Sequence, residues 1–332
     1  PSGTPEEMMV TGLNPGTYVY VSMRAQDDFF NWGPLGNCVY VLIRGADFEG
    51  YVIDAHSGAG APGINITGGM LLTVSDGTGY YELENIAYYV TKLNVLDENI
   101  PYPELGDYYD CSEAITITST TNDHDIFVWP TLELVNIERD FYDEGFLVFA
   151  KDITHTDGHM GMPTILYSWN DYPVSVYSPP QMLDGLDLQA AAQGAMDEWE
   201  DMSGLDLFTV TSDYLAADVR IIYVDSIIVS GYDTTYMNHH VDIVEKYPDG
   251  TPKTKELWIN RANKNMPLSL YSHLIFAHEF GHVLCLHHIA DSGHLMIGNT
   301  LPTQKHVTTD EANLVRIIYH LPAIYDMSNV ID

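Results

Sequence analysis

The stretch from Leu270 to His288, LYSHLIFAHEFGHVLCLHH, limits the possible folds more than any other part of the chain. Leu270, Leu274, Ala277, Gly281 and Leu284 share one helical face, which predicts a helix buried on that side against a sheet. His278 and His282 lie four residues apart on the adjoining face. Their imidazoles should stack ~5–6 Å apart and converge on one ion. Glu279 sits part of a turn round from His278. It is too near to be a third ligand in good geometry, yet near enough to act as general base on a water beside the ion.

A catalytic zinc site takes three protein ligands and keeps one position open. His287, His288, Asp291 and His294 all follow closely. A ligand six residues beyond His282 would lie ~9 Å further along a straight helix. For His288 to close the site, the helix must stop and the chain must turn back. On an unbroken helix Cys285 stands ~10.5 Å along the axis from His278, too far for it to join both histidines as the third ligand. It reads instead as a small buried hydrophobe.

The pattern His278-Glu279-x-x-His282-x-x-x-x-x-His288 resembles the zinc signature of the metzincin peptidases. The wording AHEFGHVLCLHHIADSGHLM is most similar to their matrixin branch. Met296, eight residues after His288, matches the methionine of the family's Met-turn, which packs a thioether under the ligands. Ala195 to Trp199, Ala217-Asp218-Val219, and Thr309-Asp310-Glu311 through Ile318-Tyr319 match elsewhere, so the resemblance spans roughly 165 to 325. It implies a zinc-dependent endopeptidase. His278, His282 and His288 would hold Zn2+, Glu279 would be the base, and Met296 and Cys285 would support the ligands. An extended peptide or protein substrate would pair with a sheet edge above an S1′ pocket.

Two departures stand out. Cys285 occupies the family's glycine position, where the chain turns back. A non-glycine residue in the left-handed conformation costs roughly 1–2 kcal/mol there; the alternative keeps Cys285 helical and turns one residue later. Ile297-Gly298 replaces the family's tyrosine or tyrosine-proline after the methionine. Other candidates have plainer readings. Glu311 could be the distant ligand of another zincin type, but its surroundings read as a helix cap. His294 could cover the zinc rim or be exposed. His239-His240 could hold a second metal, or be a surface pair on a loop.

The fold class expected is multidomain: N-terminal all-β sandwich modules followed by an α+β metzincin-like zincin domain. In residues 1–45, alternation through Tyr18 to Met23 and a second strand from Cys38 to Ile43 resemble the C-terminal half of a fibronectin type III domain. The matching residues are Leu13-x-Pro15-Gly16 and Asn31-Trp32-Gly33-Pro34-Leu35-Gly36. Half a sandwich exposes strand edges, which invites self-association. In residues 46–130, short strands are expected at Gly50–Asp54, Met70–Val74, Tyr80–Leu83, Ile115–Thr118 and Ile126–Trp129. Gly50-x-Val52-x-Asp54-Ala55 and Gly79-Tyr80-Tyr81-x-Leu83 resemble the carboxypeptidase-regulatory, transthyretin-like sandwiches. Residues 131–164 are linker or the start of the next domain.

From 165 to 332 helical periodicity enters. Leu188, Ala191, Ala192, Ala195, Met196 and Trp199 form one stripe, with Asp184 as the expected cap and Gly204 as the stop. Val219 to Val224 is apolar on both faces, as in a strand covered by helices on both sides. Glu256–Asn260 is a strand, and Asn313–Leu321 a helix capped by Thr309 or Asp310.

Thirteen basic residues face 47 acidic ones, a net charge of -34 in 332 residues. That field disfavours nucleic acid and anionic membranes and favours divalent cations. Acidic loops could hold structural Ca2+, although no EF-hand spacing is present. Three cysteines leave at least one unpaired, and a Cys38–Cys111 bridge would cross the first domain boundary. No stretch approaches the ~20 apolar residues of a membrane span. The module types imply an extracellular or cell-surface protein. A non-catalytic adhesion module with a structural or degenerate zinc site is the competing expectation, and a latent form blocked by a free cysteine is a third.

Overall fold

The computed structural model describes residues 13, 18–26, 29–96, 108–131, 165–225, 227–229, 232–234, 239–261, 268–271, 273–289, 293–298 and 306–326. Expectations for residues 132–164, for Asp291 and for Pro15-Gly16 fall outside them. A β-rich front precedes a mixed α and β region.

In the front, Tyr18–Val21 pairs antiparallel with Val39–Leu42. Among the described residues this ribbon has no second sheet against it, and Tyr18, Tyr20, Tyr40 and Val41 are all exposed. Two four-stranded sheets follow. One joins Ala46–Asp54 to Tyr80–Ile86, Thr121–Asp123 and Ile126–Val128; the other joins Asn65–Gly68 to Leu71–Val74, Lys92–Leu96 and Cys111–Ala114. Alternate residues of both sheets, among them Phe48, Val52, Ile66, Leu83, Val95 and Ile126, enter a single apolar cluster. The expected strand at Ile115–Thr118 is replaced by Cys111–Ala114. There Cys111 and Glu113 turn inward, while Ile115 caps the end of the core.

Beyond residue 165 a five-stranded sheet forms the frame. Its order is Phe208–Val210, Val174–Tyr177, Val219–Val224, Pro252–Asn260 and His239–Lys246. Every pair is parallel except the last, so His239–Lys246 is an antiparallel edge strand. It contains the His239-His240 pair, which is therefore on a strand and not on a loop. Val219 and Ile221 are buried, whereas Ile222 and Val224 are only half-buried, so helices cover one face of this strand and not both.

Helix α1, Leu188–Ser203, lays its expected apolar stripe on that face. Asp187, not Asp184, caps it: its carboxylate accepts from the Gln189 and Ala190 amides, and Asp184 sits in the preceding tight turn at φ 48°. Helix α2 is a single turn, Leu268–Tyr271, and α3 is Leu274–Val283. Helix α4, Thr309–His320, is capped by Thr308, not by Thr309 or Asp310. Thr308 and Glu311 form a reciprocal capping box.

The two regions meet through α4. Ala55 and Trp129 from the front are buried in the second core, where Trp129 stacks on Tyr325. Asn313, Arg316 and His320, on one side of α4, face the 54–58 turn. His56 Nε2 lies 3.0 Å from Asn313 Oδ1, and His320 Nδ1 donates to the Ala55 carbonyl at 3.1 Å. No described helix is long and apolar enough to cross a membrane.

Candidate metal centre

Helix α3 is buried along nearly its whole length, and only His282 is half-exposed. Two tryptophans fix it. Trp199 of α1 donates its indole N–H to the Ala277 carbonyl at 2.8 Å, and Trp169 donates to the Val283 carbonyl at 2.9 Å. The helix then ends sharply. Cys285 adopts φ 73°, its N–H bonds the His282 carbonyl at 3.1 Å, and the Leu286 N–H bonds the Gly281 carbonyl at 2.9 Å. This pair of bonds is the Schellman arrangement, made here by a residue that carries a side chain. Of the two conformations open to Cys285, the left-handed one is taken.

A buried cation closes the same helix end. Lys255, 2% exposed, donates from Nζ to the carbonyls of His282 and Val283 at 2.9 and 2.8 Å and lies 3.2 Å from Cys285 Sγ. Its ammonium also stands 5.5 Å from the centre of the Trp169 ring. A positive charge at a helix C-terminus is favourable, and a buried one with strong acceptors more so. Cys285 therefore contacts the group that secures the ligand helix. The sequence reading did not single out Lys255. Its signal was present: Lys255 shares strand parity with the buried Leu257 and Ile259.

The turn returns the chain so that three imidazoles converge. His288 Nε2 lies 3.2 Å from His278 Nε2 and 3.1 Å from His282 Nε2. Three imidazoles on one tetrahedral ion, with bonds of ~2.0–2.1 Å, would place these atoms ~3.3 Å apart. The other ring nitrogens settle the tautomers. His278 Nδ1 is 2.7 Å from the Leu295 carbonyl, and His282 Nδ1 is 2.7 Å from the Leu286 carbonyl. A carbonyl only accepts, so each Nδ1 carries the proton and each Nε2 presents a lone pair. Although part of the His282 ring reaches solvent, the protein packed round its nitrogens pushes its pKa down, to about 3. His288 can give a proton to one of its neighbours but not to both. The cluster could hold a divalent cation, and neutral imidazoles are the form that binds one.

Beside the three histidines runs 293–298. Ile289 donates its N–H to the Met296 carbonyl, and Gly298 donates to the Ile289 carbonyl. Met296 is wholly buried against Gly281, where a methyl group would meet Met296 Cε at 2.9 Å, Met296 Sδ closer still, and Trp199 at 3.2 Å. Gly298 lies close against His288: an added methyl would sit 3.0 Å from its Cβ and Cγ, so the ring would have to give way by a few tenths of an ångström. The Met296 N–H bonds Glu311 Oε1 at 2.8 Å, while Glu311 Oε2 accepts from the Thr308 amide and hydroxyl at 2.9 and 2.8 Å. Glu311 is thus a helix cap that also steadies the methionine turn, and it stays away from the three histidines. His294 is fully buried and pairs with Asp310 at 3.6 Å, so it neither covers the rim nor faces solvent. All three cysteines are free thiols. Glu279 is 1% exposed on α3, directly after His278.

Residues 169–320 match the model of the matrixin peptidase family. With the clustered histidines, that match makes this part of the chain a matrixin domain of the zinc metalloendopeptidase class. No curated protein matches the chain. Among solved structures it is similar to BcpA, the major pilin subunit of Bacillus cereus, at 15% identity over 36% of this chain and 41% of the pilin, with a TM-score of 0.22. A single-substitution form of the same pilin gives 16% identity over 35% of this chain and 40% of that one, also at 0.22. The chain therefore spans less than half the length of either pilin, and scores this low identify no common fold.

Proposed function

We propose that the chain is an endopeptidase that hydrolyses extended peptide or protein substrates, with Glu279 as general base. The convergence of three Nε2 atoms, those of His278 and His282 lying within 3.2 Å of that of His288, is the observation that carries this reading. Zinc, when bound, supplies Lewis acidity and brings the attacking water toward a pKa of ~7. The Leu295 and Leu286 carbonyls hold the ligand imidazoles in one tautomer and one orientation. Glu279 accepts the proton of the attacking water and delivers it to the leaving amine. Met296 packs beneath the ligands, and Cys285 makes the turn that brings His288 round. Substrate adds as a further strand along the outer side of His239–Lys246, which ends the sheet among the described residues, and main-chain pairing there gives affinity.

The front of the chain reads as a fibronectin type III-like segment over 1–45 and a carboxypeptidase-regulatory-like sandwich over 46–130. These act as spacers for a peptidase domain over 165–332, outside the cell or at its surface. The deciding experiment pairs metal analysis with cleavage of a mixed peptide library. Zinc-loaded wild type should cut, and Glu279→Gln should keep its zinc while losing roughly 100-fold or more of the rate. A zinc-loaded wild type that cuts nothing would end the peptidase reading; a Glu279→Gln variant with full activity would end the assignment of the base.

A further inference from the structure

A second set of metal-ligating side chains gathers away from the three-histidine centre. Glu198 comes from α1, His273 from the N-cap of α3, and His306 from the segment leading to the α4 cap. Their ligand atoms all lie within 4.8 Å of one another. Glu198 presents Oε2 to His273 Nε2 and Oε1 to His306 Nδ1, the latter at 3.0 Å. The Val307 amide, 3.2 Å from Oε1, holds the carboxylate in place. The two imidazole centres are 5.2 Å apart, within the 4.6 to 5.2 Å range found among His278, His282 and His288.

We propose that Glu198, His273 and His306 form a second divalent metal site, with two imidazole nitrogens and one carboxylate as its protein ligands. This donor set suits zinc among the common divalent ions, because imidazole is a poor ligand for calcium or magnesium. The side chains are 17%, 27% and 68% exposed, so solvent reaches one side and water can fill the remaining positions. Zinc with bonds of ~2.0–2.2 Å needs ligand atoms ~3.4 Å apart, so His273 Nε2 and Glu198 Oε2, now in direct contact, must separate to admit the ion. Burial alone would raise the Glu198 carboxyl, but the bonds from His273 and His306 outweigh it and hold the group below its ordinary range; an ion would take the place of the protons in those bonds.

The ligands come from three places that are distant in sequence: the inner helix, the start of the ligand helix and the approach to the closing helix. An ion here would clamp all three. Because the unfolded chain lacks the site, the ion would stabilise the fold in proportion to the logarithm of its concentration over Kd. The site shares no residue with the His278, His282 and His288 cluster, and its existence does not depend on the peptidase reading.

The test counts ions. Chelator-stripped wild type, His306→Ala, Glu198→Gln and His288→Ala are titrated with Zn2+ under calorimetry, and bound metal is then measured directly. His306 is largely exposed, so its loss should leave the fold intact. Wild type should bind one more ion than either His306→Ala or Glu198→Gln. His306→Ala should keep its peptide cleavage, and His288→Ala should keep the ion at Glu198. Equal ion counts in wild type, His306→Ala and Glu198→Gln would overturn the proposal, whatever happens at the three histidines.

Discussion

Cys285 holds a conformation that glycine adopts without strain. Its φ of 73° is fixed by the bonds of the helix end, so the side chain is carried at a cost. Cys285→Gly should therefore be at least as stable as wild type. Cys285→Val, β-branched at positive φ, should lose roughly 1–2 kcal/mol. Denaturant melts of the zinc-free proteins would rank the three, and a valine variant as stable as the glycine one would contradict the account. Gly281 faces the opposite demand. It has ordinary helical backbone but no room for a methyl group against Met296 and Trp199. Gly281→Ala should cost ~1–3 kcal/mol by overpacking and should weaken zinc binding, since His278 and His282 flank it on the same helix. At this scale the sequence was most legible where spacing alone decides geometry. Two imidazoles one turn apart, with a third beyond a forced reversal, left little freedom. Lys255 was overlooked because a lysine between other polar residues reads as surface unless strand parity is followed through Leu257 and Ile259.

Helix termini do much of the positioning in the ligand-bearing region. The C-terminal carbonyls of α3 meet a buried ammonium and an indole N–H. Lys255→Met keeps the volume but leaves those carbonyls without their strongest donor. It should cost ~2–3 kcal/mol, seen as a lower denaturant midpoint with an unchanged slope. At α4, Glu311 serves its own helix and the Met296 amide together. Glu311→Ala should both destabilise the helix start and loosen the methionine turn, so zinc affinity should fall along with stability. A loss of stability with unaltered zinc affinity would separate the two roles. The cap itself was written in the sequence, since Thr308 stands three residues before Glu311 in the capping-box pattern. Thr309 and Asp310 are also good caps, and only the reciprocal bond from Glu311 distinguishes Thr308. Asp184 and Asp187 pose the same ambiguity, resolved because Asp184-Gly185 is needed for the turn between the short strands Met182–Leu183 and Leu186–Asp187.

Two apolar cores serve the described chain, and side chains from the front complete the second of them. Trp129, fully buried on Tyr325, is the largest of these. Trp129→Ala should cost ~3–5 kcal/mol and should lower the melting temperature of the matrixin region, although its residue lies outside the matched span. A melt in which that region is unaffected would show that the contact is incidental. Sequence patterning told strand-rich from mixed regions correctly, because period two and period 3.6 look different. It could not reveal that a tryptophan after the last front strand belongs to the neighbouring core, since burial against a distant partner leaves no local period. Helix α4 draws these observations together. Near its first turn it holds the amide of Met296; along its later turns it is bolted to the 54–58 hairpin. A tug on the front modules, by a bound neighbour, would load a stiff rod whose other end holds the amide of Met296 in the turn beside the three histidines.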